Sequence, residues 1–135
     1  LSEPPKKYSI NDEFGEVNIH MVPFKNLHTM RSMLGFIGSD NESIEEKNNV
    51  NIKDPTEIFK KYLSDISTDN GRNIIILHNY FSPGADPTKT DISDSERPLT
   101  IGGEEIIDSR LLDRFNYAAL GHLHKAQKVG ADHVR

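Results

Sequence analysis

Residues 54–78, DPTEIFKKYLSDISTDNGRNIIILH, carry the reading from which the fold follows. Asp54 suits a helix N-cap, because its carboxylate can accept from the free amides of the first turn. Pro55 suits the first helical position, and Glu57 completes a capping-box pattern. Ile58, Phe59, Tyr62, Leu63 and Ile66 then recur at helical spacing, which gives one buried face. Asn70-Gly71 ends that pattern. Residues 73–77 follow as a largely apolar, β-branched run, expected of a central strand covered on both faces. Helix, glycine turn and buried strand in this order predict an α/β fold.

Upstream, Pro4-Pro5 opens an extended stretch, residues 8–10 read as a short strand, and residues 11–15 predict a turn. Val17, Ile19 and Met21 alternate with Asn18 and His20, the pattern of a half-buried strand, which Pro23 stops. Asn26 can cap a short helix with Leu27, Met30 and Leu34 on its apolar side. Residues 35–51 are mostly polar and acidic and predict a mobile loop. Downstream, residues 82–98 form a long irregular segment with Pro83, Gly84, Pro87 and several aspartates; such a loop inside a compact domain is often functional. Residues 99–107 read as extended structure broken by Gly102-Gly103. Asp108 or Ser109 can cap a short helix bearing Leu111, Leu112 and Phe115. Tyr117-Ala118-Ala119-Leu120 reads as a second buried strand, ending at Gly121.

The 135 residues suffice for one domain, but only 35% are apolar, low for a self-sufficient globule. With Leu1 at the start and Arg135 in a strand-like stretch, this leads to the expectation of a piece of a longer parent. There is no cysteine, so disulfides and thiolate sites are excluded, and a metal would be held by His, Asp, Glu or Asn. No apolar run approaches the roughly 20 residues that span a bilayer, and no signal-peptide pattern is present. The expected localisation is cytoplasmic, with no membrane partner. Net charge is −5, from 16 basic and 21 acidic residues, so no broad electrostatic DNA-binding face is expected. Toward the C-terminus the balance reverses: Arg110, Arg114, Lys125, Lys128 and Arg135 stand against Asp113 and Asp132. Surface scatter and phosphate steering account for that equally well.

His78 directly follows the apolar run 74–77, and Gly121-His122-Leu123-His124 directly follows the strand 117–120. Ligands of open α/β sheets bind at the carboxyl ends of strands, so two parallel, neighbouring strands would bring all three imidazoles to one sheet edge. His122 and His124, two apart, project to the same side of an extended loop. Gly121 lets the backbone approach an ion closely. A histidine after a strand is most often an ordinary loop residue; a His-x-His pair after a glycine at a strand end is a stronger signal. His20, His28 and His133 lack this context and read as ordinary surface or strand histidines.

The stretches Ser93-Asp94-Ser95-Glu96-Arg97 and Ile101-Gly102-Gly103, then Phe115 through Lys125 and Gln127, resemble the bacterial SbcD family. This family supplies the nuclease subunit of SbcCD complexes within the calcineurin-like metallophosphoesterases. The resemblance covers most of the chain. Gly121-His122-Leu123-His124 matches the last metal motif, and His78 falls where the preceding metal-binding histidine lies. The resemblance implies a partial calcineurin-like metallophosphoesterase domain of mixed β-sheets flanked by helices, with residues 1–135 as the C-terminal half of the nuclease domain. It implies two divalent ions, manganese in the intact parent, with His78 and His122 holding one and His124 the other. Two such ions activate water and stabilise phosphoryl oxygens. Lys125 and Lys128 flank the motif and are candidate substrate-binding residues for DNA phosphates. The implied partners are DNA, an SbcC-type ATPase and a second copy of the parent. The family's Asp-x-His motif, bridging Asp and Gly-Asn-His motif do not occur in these 135 residues, so the fragment alone is expected to be inactive. Ser95-Glu96-Arg97 matches the family without an assignable chemical role. Two alternatives stand beside this reading: another calcineurin-like phosphoesterase acting on a small phosphate ester, and a non-catalytic assembly module whose histidines are incidental.

Overall fold

Asp54 caps the predicted helix by accepting from the Thr56 amide at 2.8 Å, and Pro55 opens it. In the computed structural model, which describes residues 3–36, 53–92 and 105–135, two strands form a hairpin, β1 (Lys6–Asp12) and β2 (Gly15–Val22). Helices α1 (Leu27–Met33) and α2 (Pro55–Tyr62) follow, then strand β3 (Arg72–His78). Short strands β4 (Phe81–Ser82) and β5 (Ile107–Asp108) pair in parallel, and β6 (Tyr117–Gly121) completes the order. Glu57 does not close the expected capping box with Asp54; its carboxylate lies 3.7 Å from Lys60 Nζ. Residues 37–52 and 93–104 lie outside the described residues, and with them most of the expected loop, the Ser95-Glu96-Arg97 stretch and the Gly102-Gly103 break.

The main sheet has the order β1-β2-β3-β6, with β1 antiparallel to β2 and the other three parallel. This is a mixed sheet with few helices, an α/β fold as expected. Both crossovers, through α1 and α2 and through β4 and β5, contribute to one core with Ile75, Leu77 and Ala118; Met30, Ile58, Phe59, Phe81, Ile107 and Leu112 are fully buried there.

That one-sided arrangement corrects two expectations. The run 74–77 is central but not covered on both faces: Ile75 is fully buried, whereas Ile76 is 41% exposed. By register, Tyr8, Ile19, Met21, Ile74, Ile76 and Tyr117 share the second face. Four of these, Tyr8, Met21, Ile76 and Tyr117, are large exposed hydrophobics. The second correction concerns β2, where the polar residues Asn18 and His20 point into the core and Met21 is exposed. Burial of these polar groups is tolerated because each has a partner. Asn73 Oδ1 lies 2.9 Å from His20 Nε2, and Asn73 Nδ2 donates to the Thr68, Asn70 and Gly71 carbonyls. The amide nitrogen is thus accounted for, which places the His20 proton on Nε2. Asn18 donates to the Asn70 carbonyl at 3.0 Å and accepts from Ser9 Oγ at 2.6 Å.

Gly71 enters this polar corner with φ at 66°, and an added Cβ would stand 2.7 Å from the Glu16 carbonyl oxygen. Gly71→Ala is therefore expected to destabilise the fold by about 1–3 kcal/mol, through left-handed backbone strain and displacement of β2. Chemical unfolding measures this, and an unchanged midpoint would show that the turn can relax.

Candidate metal centre

The three parallel strands end together. Val22 stands opposite Leu77, and His78 opposite Gly121, so the carboxyl ends of β2, β3 and β6 form one edge. His78 is the last residue of β3 and is exposed; His122 directly follows β6 and is partly buried. Their ring centroids lie 5.6 Å apart with the planes at 88°. Gly121 makes this approach possible. A Cβ on it would come within 2.5 Å of His78 Nδ1, so the His78 ring lies across a stretch of backbone that bears no side chain.

His122 adopts a φ of 91°, the left-handed region that side-chain-bearing residues rarely enter. Backbone strain of this kind persists only where the surroundings impose it. Here Tyr80 stacks on the imidazole at 5.6 Å and 30°, and Tyr80 is itself buried, with its hydroxyl 3.0 Å from Thr90 Oγ1. Phe24, in the loop after β2, meets the His78 ring edge-on at 5.9 Å.

The sheet brings His78 and His122 together but not all three predicted histidines. His124 is exposed, and among the described residues no group of three or more His, Asp or Glu side chains could hold an ion. Two imidazoles over the open backbone at Gly121 fit part of the shell of a borderline divalent ion. No carboxylate among the described residues makes a third donor with them. Of the histidines set aside, His28 is exposed. His20 is a strand histidine, in β2, buried against Asn73 and Phe115 and away from the strand ends.

Both candidate phosphate lysines sit beside carboxylates. Lys125 Nζ is 2.8 Å from Asp91 Oδ2, and Lys128 Nζ is 2.6 Å from Asp132 Oδ1. Hydrogen bonding to Lys125, and then its charge, hold the Asp91 carboxyl below the usual carboxylate range; Lys128 does the same for Asp132. All four side chains are largely exposed, and ion pairs of this kind contribute at most about 1 kcal/mol, so neither lysine is held strongly by its carboxylate. Gln127 adds a second tie to the same segment: it accepts from the Asp91 amide at 2.8 Å and donates to the Asp91 carbonyl at 2.7 Å. The loop that carries His124 is thereby joined to the segment after Thr90.

Sequence reasoning assigned no role to Tyr80, Phe24 or Asn79, although residues 79–81 are where the chain is least typical of the SbcD pattern. Their signal was present in part, since Asn79 and Tyr80 directly follow His78. Asn79 Nδ2 donates to the Lys25 carbonyl at 3.1 Å, while its Oδ1 is buried with no hydrogen-bond partner.

No protein-family model matches the chain. The chain is similar to the SbcD subunit of the SbcCD nuclease from Staphylococcus saprophyticus, with 29% identity over 120 residues, or 89% of this chain. It spans only 28% of that relative's length. Among the described residues, no helix is long and apolar enough to cross a membrane.

Proposed function

We propose that residues 1–135 are the C-terminal half of an SbcD-like metallophosphoesterase domain, and that the parent is a divalent-metal-dependent DNA nuclease acting at DNA ends and hairpins. The observation that carries this reading is the pairing of His78 and His122 over Gly121 at the carboxyl ends of two adjacent parallel strands. The similarity to an SbcD nuclease subunit supports it. The exposed apolar face of the sheet supports the partial-domain reading, because parallel strands are ordinarily buried on both faces. In the parent, the remainder of the domain covers that face and supplies the carboxylates. An SbcC-type ATPase and a second copy of the parent are the proposed partners, and the proposed location is the cytoplasm.

In this reading His78 and His122 hold one ion, and His124, brought in by the completed domain, holds the other. When bound, two divalent ions, manganese by the resemblance, supply the charge that activates water and polarises the phosphodiester. The chain's own residues hold and orient. Gly121 leaves room for the His78 ring, and Tyr80 fixes the plane of His122 by stacking. Lys125 and Lys128 exchange Asp91 and Asp132 for DNA phosphates and so set the strand's position.

The test is manganese-dependent cleavage of linear and hairpin DNA by the full-length protein, with DNA binding measured over a salt series. Replacing Lys125 and Lys128 together with Ala is expected to flatten the salt dependence by up to about one unit of slope per phosphate no longer bound. An unchanged slope would return both lysines to the ordinary solvated surface. Hydrolysis of small phosphate esters without cleavage of DNA would favour a different phosphoesterase. No hydrolysis and no metal binding would leave an assembly module.

A further inference from the structure

Gln127 stands on the loop that carries His122 and His124, and its side chain is half-buried. Its carboxamide meets both backbone groups of one distant residue: Oε1 accepts from the Asp91 amide at 2.8 Å, and Nε2 donates to the Asp91 carbonyl at 2.7 Å. A grip of this kind needs an acceptor and a donor side by side in one plane, which at neutral pH only the amides of Gln and Asn provide. Nε2 also donates to the Lys125 carbonyl at 3.2 Å, which ties the amide to its own loop. Asp91 directly follows Thr90, and Thr90 is buried with its hydroxyl 3.0 Å from that of Tyr80. The Tyr80 backbone is held separately, its carbonyl accepting from the Ile107 amide at 2.9 Å. The Tyr80 ring in turn stacks on the His122 imidazole. These contacts close a circuit, from His122 to Tyr80, Thr90, Asp91 and Gln127, and back along the loop to His122.

We infer that Gln127 is a positioning residue for the metal centre: by gripping Asp91 it fixes Thr90, and through the hydroxyl of Tyr80 it sets the orientation of His122. His122 needs such support, because its left-handed φ of 91° persists only while the surroundings impose it. With the grip released, the segment that ends at Asp91 and the loop beyond Gly121 can part. Tyr80 then loses its anchored hydroxyl partner, and the imidazole loses the fixed plane against which it lies. Gln127 touches neither ion nor DNA in this role. Groups that orient a metal ligand from outside the coordination shell are worth about ten- to a hundred-fold in metal affinity. Gln127 acts through two intervening residues, which puts its effect at about ten-fold, the lower end of that range.

This inference rests on the proposed metal site, and the two can fail separately. The experiment titrates the full-length protein with manganese by calorimetry and follows thermal unfolding of the metal-free preparation. Gln127→Ala is expected to raise the manganese dissociation constant about ten-fold with little change in the unfolding midpoint. Gln127→Glu keeps the length and the acceptor but cannot donate to the Asp91 carbonyl, so it should lose affinity as well. Tyr80→Phe keeps the stacking ring and removes only the hydroxyl, and it should weaken manganese binding by a similar factor. Combined with Gln127→Ala it should cost nothing further, because both changes break one circuit. Additive losses, or full affinity in Gln127→Ala, overturn the inference. Full affinity in Gln127→Glu overturns it too, since the side chain would then act by its bulk alone. If Gln127→Ala fails to fold, undiminished affinity in Tyr80→Phe still decides against this route. His122→Ala separates the two readings. Manganese affinity untouched by that change removes the metal site itself, whereas affinity lost there and kept in the Gln127 variants removes only the role of Gln127.

Discussion

His122→Ala in the full-length protein is expected to lower manganese-dependent DNA cleavage by at least about a hundred-fold. Loss of outer-shell partners alone typically costs ten- to a hundred-fold in metal affinity or activity, and His122 is proposed to touch the ion directly. Stability should change little. Alanine inherits the same left-handed backbone, so the strain at φ 91° is neither added nor relieved. The variant gives up the stacking of the imidazole on Tyr80, worth about 0.5–1.5 kcal/mol. The measurements are cleavage of a labelled hairpin and thermal unfolding of the same preparation. Near-normal cleavage in a folded variant would sink the metal assignment, and a collapse of stability would recast His122 as a packing residue.

The second large effect concerns a residue with no functional group. Gly121→Ala would place a methyl carbon 2.5 Å from His78 Nδ1 and 3.2 Å from its Cγ. Gly121 does not occupy the positive-φ region, so alanine brings no backbone strain there. The clash falls on a side chain at the exposed end of β3, which can swing away. The fold should therefore survive while the imidazole leaves its place beside His122. A displacement of about 1 Å at a reacting centre can cost about a hundred-fold in rate. The expected result is a loss of that order in cleavage, with weaker manganese binding by calorimetry and an unchanged unfolding midpoint. Adding His78→Ala to Gly121→Ala should cost little more, because both act on one ligand. Additive losses in the double variant would show that Gly121 matters for another reason.

These two residues illustrate how much of the site was legible in the order of amino acids. His78 and the Gly-His-Leu-His stretch stood out because each follows an apolar strand-length run, and the strands are indeed adjacent and parallel. The close approach of the His78 ring to Gly121 was not visible, since it depends on a register in which His78 faces residue 121 on the neighbouring strand. Tyr80 and Phe24 were missed for a similar reason. An aromatic residue near a histidine in sequence has no preferred meaning until the backbone decides whether the rings meet.

The local elements followed from neighbours within a few residues. Asp54 and Asn26 cap their helices by accepting from amides two or three positions on, and the apolar spacing of α2 depends only on helical geometry. Such features are written in the chain because the interactions that produce them are short-ranged. Which face of the sheet is buried was a different matter. The alternation in β2 suggested an apolar side turned inward, yet Asn18 and His20 lie in the core and Met21 outside. That inversion is held by partners distant in sequence: His20 by Asn73, and the Asn73 amide by Asn116, which accepts from it at 2.7 Å. A buried polar group is stable only where its hydrogen bonds are met, and here the groups that meet them come from other strands and turns. The periodicity of one strand could therefore reveal that it has two unlike faces, while only the packed structure could decide which of them turns inward.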